Sequence, residues 1–372
     1  MSSLRMAVIG AGRLGGFHAE KIAQRRDLDL VGVVDPRPDN RDRVAAQCGT
    51  QGFADYQELL GQLQAAVVAT PTQFHRRVAL DLLRAGIHVL VEKPICATSA
   101  EADQLLAAAR EHNAVLQVGH VERFNPAFEA AAPHLTDPKF IEAVRTSGFT
   151  FRSTDVGVVL DLMIHDIDLV LSLAPGRIRK VDALGISVLG GHEDVANARL
   201  EFDSGCVAIL SASRVSYQQM RRMQVWSARG FASIDLATRT ATLVRPSQTL
   251  LRRQFDVDAL TPEQIAYYRD HLAEEHLPRE QVQSAAVDAL SRELDDFVES
   301  IRSQRQPCVS GQAGRDALAV AEQILAGIAS HRWDATADGP AGPLAISSHC
   351  PIPAPHFSLP AVPTHALLER AG

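Results

Sequence analysis

Paired cysteines are missing from this sequence. Cys48, Cys96, Cys206, Cys308 and Cys350 are odd in number, far apart and without a Cys-x-x-Cys spacing, which excludes a disulfide framework and a zinc ribbon and predicts free thiols in a reducing compartment. No run of Lys and Arg exceeds a few residues and the formal charge is -7, so neither a phosphate backbone nor an anionic membrane surface would attract the chain. No uncharged hydrophobic span is present either. The longest apolar stretch, Val156 to Ala174, carries Asp161, His165, Asp166 and Asp168, residues a membrane helix does not hold without a functional reason. The apolar run ending at Gly10 is too short for a secretory core and lacks a cleavage site, so it reads as the first strand of a cytoplasmic protein. No internal repeat recurs.

What is present is the mix of an ordinary globular protein, 46% hydrophobic and 22% charged over 372 residues. That length exceeds the roughly 250 residues at which single cores stop growing, so two domains are expected. Up to about residue 120, short apolar runs alternate with amphipathic segments. Strands are expected at Met6–Ile9, Leu30–Val34, Ala66–Ala69, His88–Val91 and Val115–Val118, with helices between them such as Arg13–Gln24 and Ala100–His112. Helix-length connections imply parallel pairing, hence a doubly wound α/β domain over 1–122.

Beyond residue 140 strands follow one another: Phe140–Thr150, Val181–Leu189, Val195–Phe202, Cys206–Val215, Met223–Ala228, Ala232–Leu236 and Thr240–Val244. Phe202 to Cys206 and Ala228 to Gly230 read as hairpin turns. One helix, Gly157–Leu173, interrupts the strands, and two more, Ser291–Ser303 and Asp316–Ser330, follow them. The expected second unit, 123–330, is therefore α+β with a mostly antiparallel open sheet serving substrate binding and oligomerisation. Residues 331–372 form a Pro-rich tail expected to be extended when alone.

Val8-Ile9-Gly10-Ala11-Gly12-Arg13-Leu14-Gly15 places G-x-G-x-x-G between the first strand and the first helix. Gly10 permits a tight turn, Gly12 lets backbone approach a pyrophosphate, and Gly15 allows close helix packing, the signature of a Rossmann dinucleotide site. Asp35 closes the second strand 20 residues after Gly15, where a carboxylate accepts hydrogen bonds from ribose hydroxyls. The same charge repels the 2'-phosphate of NADP, so NAD is the expected cofactor, with Arg37 pulling weakly the other way.

Asp161, His165, Asp168 and Ser172 stand at i, i+4, i+7 and i+11, one stripe of an otherwise apolar helix, while Asp166 points elsewhere. Such a stripe must face water, a cavity or a partner to escape desolvation cost; a buried network or a subunit contact is the alternative to a cleft. Lys93, in Val91-Glu92-Lys93-Pro94-Ile95, leaves the carboxyl end of a parallel strand on the edge that carries the glycine turn, where ligands of open α/β sheets bind. Its plainer reading is a surface lysine before a proline. No metal is expected, because no third ligand of familiar spacing accompanies His165 with Asp161 or Asp168.

Taken in order, the glycine turn, Ala69-Thr70-Pro71-Thr72-Gln73-Phe74-His75, Glu92-Lys93-Pro94 and Asp161-x-x-x-His165-x-x-Asp168 resemble the glucose-fructose oxidoreductase, inositol dehydrogenase and rhizopine-catabolism family over about residues 5–330. The resemblance implies an NAD-dependent dehydrogenase with Lys93, Asp161 and His165 as its catalytic group. It implies that Thr70, Pro71, His75 and Glu92 line the cofactor beside Gly10, Gly12, Arg13, Leu14, Gly15 and Asp35. Gln117 and the Gly119–His120 turn would sit near nicotinamide or substrate. The chemistry agrees: a neutral imidazole takes the hydroxyl proton, and an ammonium steadies the alkoxide.

Family members oxidise free sugars, cyclitols and nucleotide sugars. Met163, where a small residue is common, and the run Gly119-His120-Val121-Glu122-Arg123-Phe124-Asn125-Pro126 resemble the branch that oxidises C3 of UDP-N-acetylhexosamines, whose keto product an aminotransferase converts for lipid A. His120, Arg123, Arg152 and Asp168 are the expected substrate residues, and Arg214 a further candidate cation for phosphates. A free-sugar or inositol dehydrogenase is the runner-up. The non-enzymatic alternative is a dinucleotide-sensing regulator, since the fungal galactose repressor shares the resemblance. The resemblance also implies a homodimer or homotetramer.

Overall fold

Strands buried on both faces need helices on both sides, and the chain up to Gly119 supplies them. The computed structural model describes residues 3–151, 156–282, 288–334, 336 and 338–345. In chain order the first unit holds β1 (Leu4–Ile9), α1 (Arg13–Ala23), β2 (Leu28–Val34), α2 (Pro38–Cys48), β3 (Gln51–Phe53), β4 (Ala65–Val68), α3 (Thr72–Arg84), β5 (His88–Glu92), α4 (Ser99–Glu111) and β6 (Leu116–Gly119). All six strands pair in parallel in the order β3-β2-β1-β4-β5-β6. Every residue of β4 is buried. The order reverses between β1 and β4, which opens a crevice beyond the carboxyl ends of those strands.

The second unit begins with α5 (Pro126–Ala131) and β7 (Pro138–Thr146). A π-helical turn (Val159–Met163) runs into α6 (Ile164–Leu173), and β8 (Ile178–Ile186), β9 (Val195–Phe202), β10 (Val207–Ser213), β11 (Met220–Ser227), β12 (Gly230–Asp235) and β13 (Thr240–Val244) follow. Then come α7 (Gln248–Leu251), α8 (Pro262–His276), β14 (Arg279–Val282), α9 (Ala289–Ser303) and α10 (Gly311–Ser330). The eight strands lie in the order β14-β13-β12-β11-β7-β10-β9-β8. Every neighbouring pair is antiparallel except β7 with β10. A parallel pair needs a crossover, and the segment that provides it contains the π turn and α6, which is what lays α6 across the sheet.

On β7 and β10 the inward residues Ile141, Ala143, Ala208, Leu210 and Ala212 meet Ile164, Ile167 and Val170 of α6 and Ala321 and Ile324 of α10 in one core. The chain then returns to the first unit. Leu294, Phe297 and Val298 of α9 pack with Met6, Val8 and Leu90, while Val309 and Leu318 join the core around Val89 and Val118. Gly314 of α10 lies so close to β6 that a Cβ would stand 2.5 Å from Val118 Cγ2.

Three differences from the sequence expectation stand out. The helix expected over 157–173 is split into a π turn and an α-helix, because its apolar spacing is compatible with either winding. β3, β14, α7 and α8 lacked the apolar runs that mark buried elements; α8 has no buried residue at all. The described part of the tail folds back, with Arg332 bridged to Ala341 and Pro343 O accepting from Ser187 N at 2.9 Å. Among the described residues no helix is long and apolar enough to cross a membrane.

Candidate active site

At the carboxyl end of β1 the chain turns through Gly10 at φ +102. A Cβ there would lie 2.5 Å from Ala69 O, and one at Gly15 would lie 1.7 Å from Gly10 O, so both glycines are required for α1 to sit on the turn. Gly12, the N-cap of α1, faces open space and no side chain caps the helix. The first N–H groups of α1 therefore remain available to an anion at the positive end of the helix. Asp35, 5% exposed, accepts from Ala11 N at 3.0 Å through Oδ2 and from Arg37 N at 2.9 Å through Oδ1. An uncapped helix start beside a fixed carboxylate fits the phosphates and adenosine ribose of NAD.

Thr70 and Pro71 stand past β4 on the same edge, and the Thr70 Oγ1 is buried without a partner. His75 of α3 joins the two neighbouring turns, its Nε2 at 2.8 Å from Thr70 O and its Nδ1 at 2.9 Å from Pro94 O. Two carbonyl acceptors favour a protonated ring, but burial is the larger effect and pushes this histidine's pKa down.

Lys93 directly follows β5. Its Nζ donates to the Asp161 backbone O at 2.6 Å and lies 3.7 Å from Asp161 Oδ1. The π turn carrying Asp161 is anchored by Glu193, whose backbone O accepts from Val158 N at 2.9 Å and whose Oε1 accepts from Val159 N at 3.1 Å. Such turns interrupt the α pattern and recur at functional sites. Gly157 leads into it because a Cβ would fall 1.9 Å from Glu193 Oε1.

His165, near the start of α6, is half-buried, with Nδ1 buried and unpartnered. Its ring stands edge-on to His120 at a centroid distance of 6.2 Å, and neither His120 nitrogen has a partner. Burial, then the cations Lys93 and Arg145, hold the His165 pKa well below its ordinary value. Burial also pushes Lys93 below the usual lysine range, against the opposing carboxylates of Asp161 and Glu92. The Lys93 charge and burial thus both favour the imidazole of His165 without its second proton, the form that can accept one.

Behind this pair lies a network that sequence reasoning missed. Arg145 of β7 grips Asp166 with two hydrogen bonds of 2.9 and 2.8 Å and donates to Glu122 at 2.7 Å, all three side chains buried. Asp166 thus faces β7 in the interior. Alternation along β7 was the available signal, since Arg145 falls on the inward face shared with Ile141 and Ala143.

Other expected site residues are placed elsewhere. Arg123 donates to Asp168 at 2.9 Å, and both line a crevice of about 1270 Å³ with His88 and Leu116, the first residues of β5 and β6. None of Lys93, Asp161 and His165 borders that crevice. Ser172, the stripe's last member, only returns its hydroxyl to Leu169 O. Gln117 is fully buried and its amide donates to Glu293 O of α9 at 2.9 Å, so it faces packed protein and not an open cleft. Glu92 is 2.7 Å from His18 Nε2 beneath the turn. Arg214 donates to Asp194 Oδ1 and Val156 O. Arg152 lies outside the described residues.

A parallel sheet with this glycine turn, joined to an open antiparallel sheet that carries the partner helix, defines a class. The family model for oxidoreductases with an NAD-binding Rossmann fold matches residues 4–120, and that of the GFO/IDH/MocA C-terminal domain matches 117–233. The chain belongs to this family of NAD-dependent dehydrogenases.

Its relatives narrow the comparison. It is 35% identical over 325 residues to the UDP-N-acetylglucosamine 3-dehydrogenase of Acidithiobacillus ferrooxidans, spanning 87% of this chain and 97% of that protein. A solved structure of that dehydrogenase from the same organism matches at TM-score 0.77 with 33% identity, over 88% and 98% of the two chains. The myo-inositol 2-dehydrogenase of Thermotoga maritima is 24% identical over 85% of this chain and 93% of its own length. Levoglucosan dehydrogenase in complex with NADH, 16% identical at TM-score 0.75 over 88% and 97%, shares the fold.

Proposed function

We propose that this dehydrogenase oxidises a ring secondary alcohol of a nucleotide sugar, C3 of UDP-N-acetylglucosamine, to the 3-keto sugar. The observation that carries the chemistry is the Lys93 ammonium seated on Asp161, one helical turn before a neutral His165. The sugar is supported by the 35% identical relative that spans nearly its whole length. NAD, when bound, supplies the hydride acceptor. With Nδ1 buried, His165 takes the hydroxyl proton at Nε2, Lys93 donates to the same oxygen as charge develops on it, and Asp161 holds the lysine in place.

Arg123 and Arg214 each meet an aspartate, which leaves their charge largely spent. Arg221, opposite Arg145 on β11, stays 43% exposed, lies a looser 3.7 Å from the Glu122 oxygen that Arg145 already holds at 2.7 Å, and its charge acts on His165. It is the better candidate for the sugar's phosphates. Arg221→Ala should raise KM for the UDP-sugar by about tenfold, ~1.4 kcal/mol, with a smaller change in kcat.

The four described cysteines are free, which supports a reducing cytoplasm. Half-buried Phe140, Trp226 and Phe231 cluster on the outward face of the large sheet, supporting a homodimer or homotetramer. A 3-keto sugar is a substrate for an aminotransferase, the reaction class that would follow in lipid A assembly. NADH formation with UDP-N-acetylglucosamine, its uronic acid, glucose and myo-inositol tests the assignment. Turnover of UDP-N-acetylglucosamine alone is expected; turnover of myo-inositol and of no UDP-sugar would transfer the protein to the cyclitol dehydrogenases.

A further inference from the structure

Directly beneath the Lys93 turn, three ionisable side chains from three elements meet without solvent. His18 of α1 and Glu293 of α9 are 0% exposed and Glu92 at the end of β5 is 6%. One nitrogen or oxygen from each lies within 4.8 Å of the other two. Glu92 Oε1 is 2.7 Å from His18 Nε2, while Oε2 accepts from the Lys93 backbone N at 3.3 Å. Gly119 packs so closely that a Cβ would stand 2.7 Å from that same Oε2. Neither oxygen of Glu293 has any partner.

Two carboxylates cannot both stay ionised in such a place without a cation or strong donors. The nearby cations are engaged elsewhere: the Lys93 ammonium reaches Asp161, and Lys21 pairs with Asp288. The neighbouring Gln117 amide donates to the backbone of Glu293 and not to its carboxyl group. A proton is the charge left to resolve the conflict.

We propose that Glu293 is held as a neutral acid whose proton is donated to the Glu92 carboxylate, making His18, Glu92 and Glu293 a positioning cluster that keeps one fixed negative charge under Lys93. Burial, and then the carboxylates of Glu92, Asp296 and Asp288, push the Glu293 pKa well above its ordinary value. The groups facing it from other elements are His18, Glu92 and, one residue on, Lys93. Glu92's charge in turn raises the pKa of Lys93 against burial. If the donor at 293 is lost, the Glu92 charge loses a hydrogen bond that steadies it, and the support it gives the Lys93 ammonium against burial weakens.

The inference rests on Lys93 acting at the site as proposed above, but its first test needs no sugar. Infrared difference spectra of the full chain, wild type minus Glu293→Gln, should show the carbonyl band of a protonated carboxyl group at neutral pH. In kinetics with any accepted substrate, Glu293→Met should lower kcat/KM by at least about tenfold and move the basic limb of its pH profile downward, while Glu293→Gln, which still donates, recovers most of the loss. No acid band in wild type, or Gln as damaging as Met, would overturn the proposal. So would a stoichiometric divalent metal in the purified protein, because a cation would then neutralise the pair. Should Glu293→Met fail to fold, the infrared comparison decides alone. A wrong sugar assignment alters the substrate panel and leaves the infrared band untouched.

Discussion

At the scale of single residues, the site depends on two proton affinities displaced in the same direction. Burial lowers both His165 and Lys93, and the Lys93 charge lowers His165 further. The acid limb of kcat/KM should therefore lie below about pH 6.5, the ordinary imidazole value. Removing the lysine charge removes a cause of the depression, so in Lys93→Met the His165 ring should titrate at higher pH, as NMR of the imidazole would show; an unmoved titration would mean the two groups are not coupled. His165→Ala and Lys93→Ala should each lower kcat by at least ~100-fold, and near-normal turnover in either would end their assignment. Asp35 decides a different question. Its carboxylate lies against the glycine turn with Arg37 only 3.7 Å away. Asp35→Ser should therefore shift the ratio of kcat/KM for NADP over NAD upward by at least about tenfold, and an unchanged ratio would remove Asp35 from cofactor choice.

At the scale of elements, α6 is positioned by charge as much as by packing. Its apolar residues sit in the core of the second unit, but its rotation is set where Arg145 of β7 holds Asp166. Cutting one partner from a buried ion network leaves the others uncompensated, so Arg145→Met should cost about 3–5 kcal/mol in urea unfolding. A loss under ~1 kcal/mol would show that the network is dispensable for stability. The π turn before α6 belongs to the same device. It presents the Asp161 carbonyl to Lys93 Nζ while His165 follows on regular α geometry.

At the scale of the molecule, two sheets share one closing helix. α10 contributes Leu318 to the core of the parallel sheet and Ala321 and Ile324 to that of the other, so the Lys93 turn and the His165 helix are held in one frame. The outward face of the eight-stranded sheet carries Phe140, Trp226 and Phe231, with centroid spacings of 5.1 and 4.9 Å. Light scattering coupled to size exclusion should report a dimer or tetramer, and Trp226→Glu should shift it toward monomer. A wild-type monomer at all concentrations would leave that face without a partner.

The glycine turn, Asp35 and the alternation of strands with helices were legible in the sequence because each is a local pattern, complete within one strand, one turn and one helix. Lys93 at a strand end and His165 on an apolar helix were legible for the same reason. Partner choice was not. Whether Arg123 meets a substrate or Asp168 depends on where α6 crosses, and Gln117 and Glu293 meet only because α9 returns to the parallel sheet after the entire second unit. The winding of 159–163 was equally hidden, since α and π turns tolerate the same apolar spacing over so short a run. Local spacing determined which residues are candidates for chemistry here; long-range packing decided which charges face each other, because desolvation and pairing depend on contacts between segments far apart in the chain.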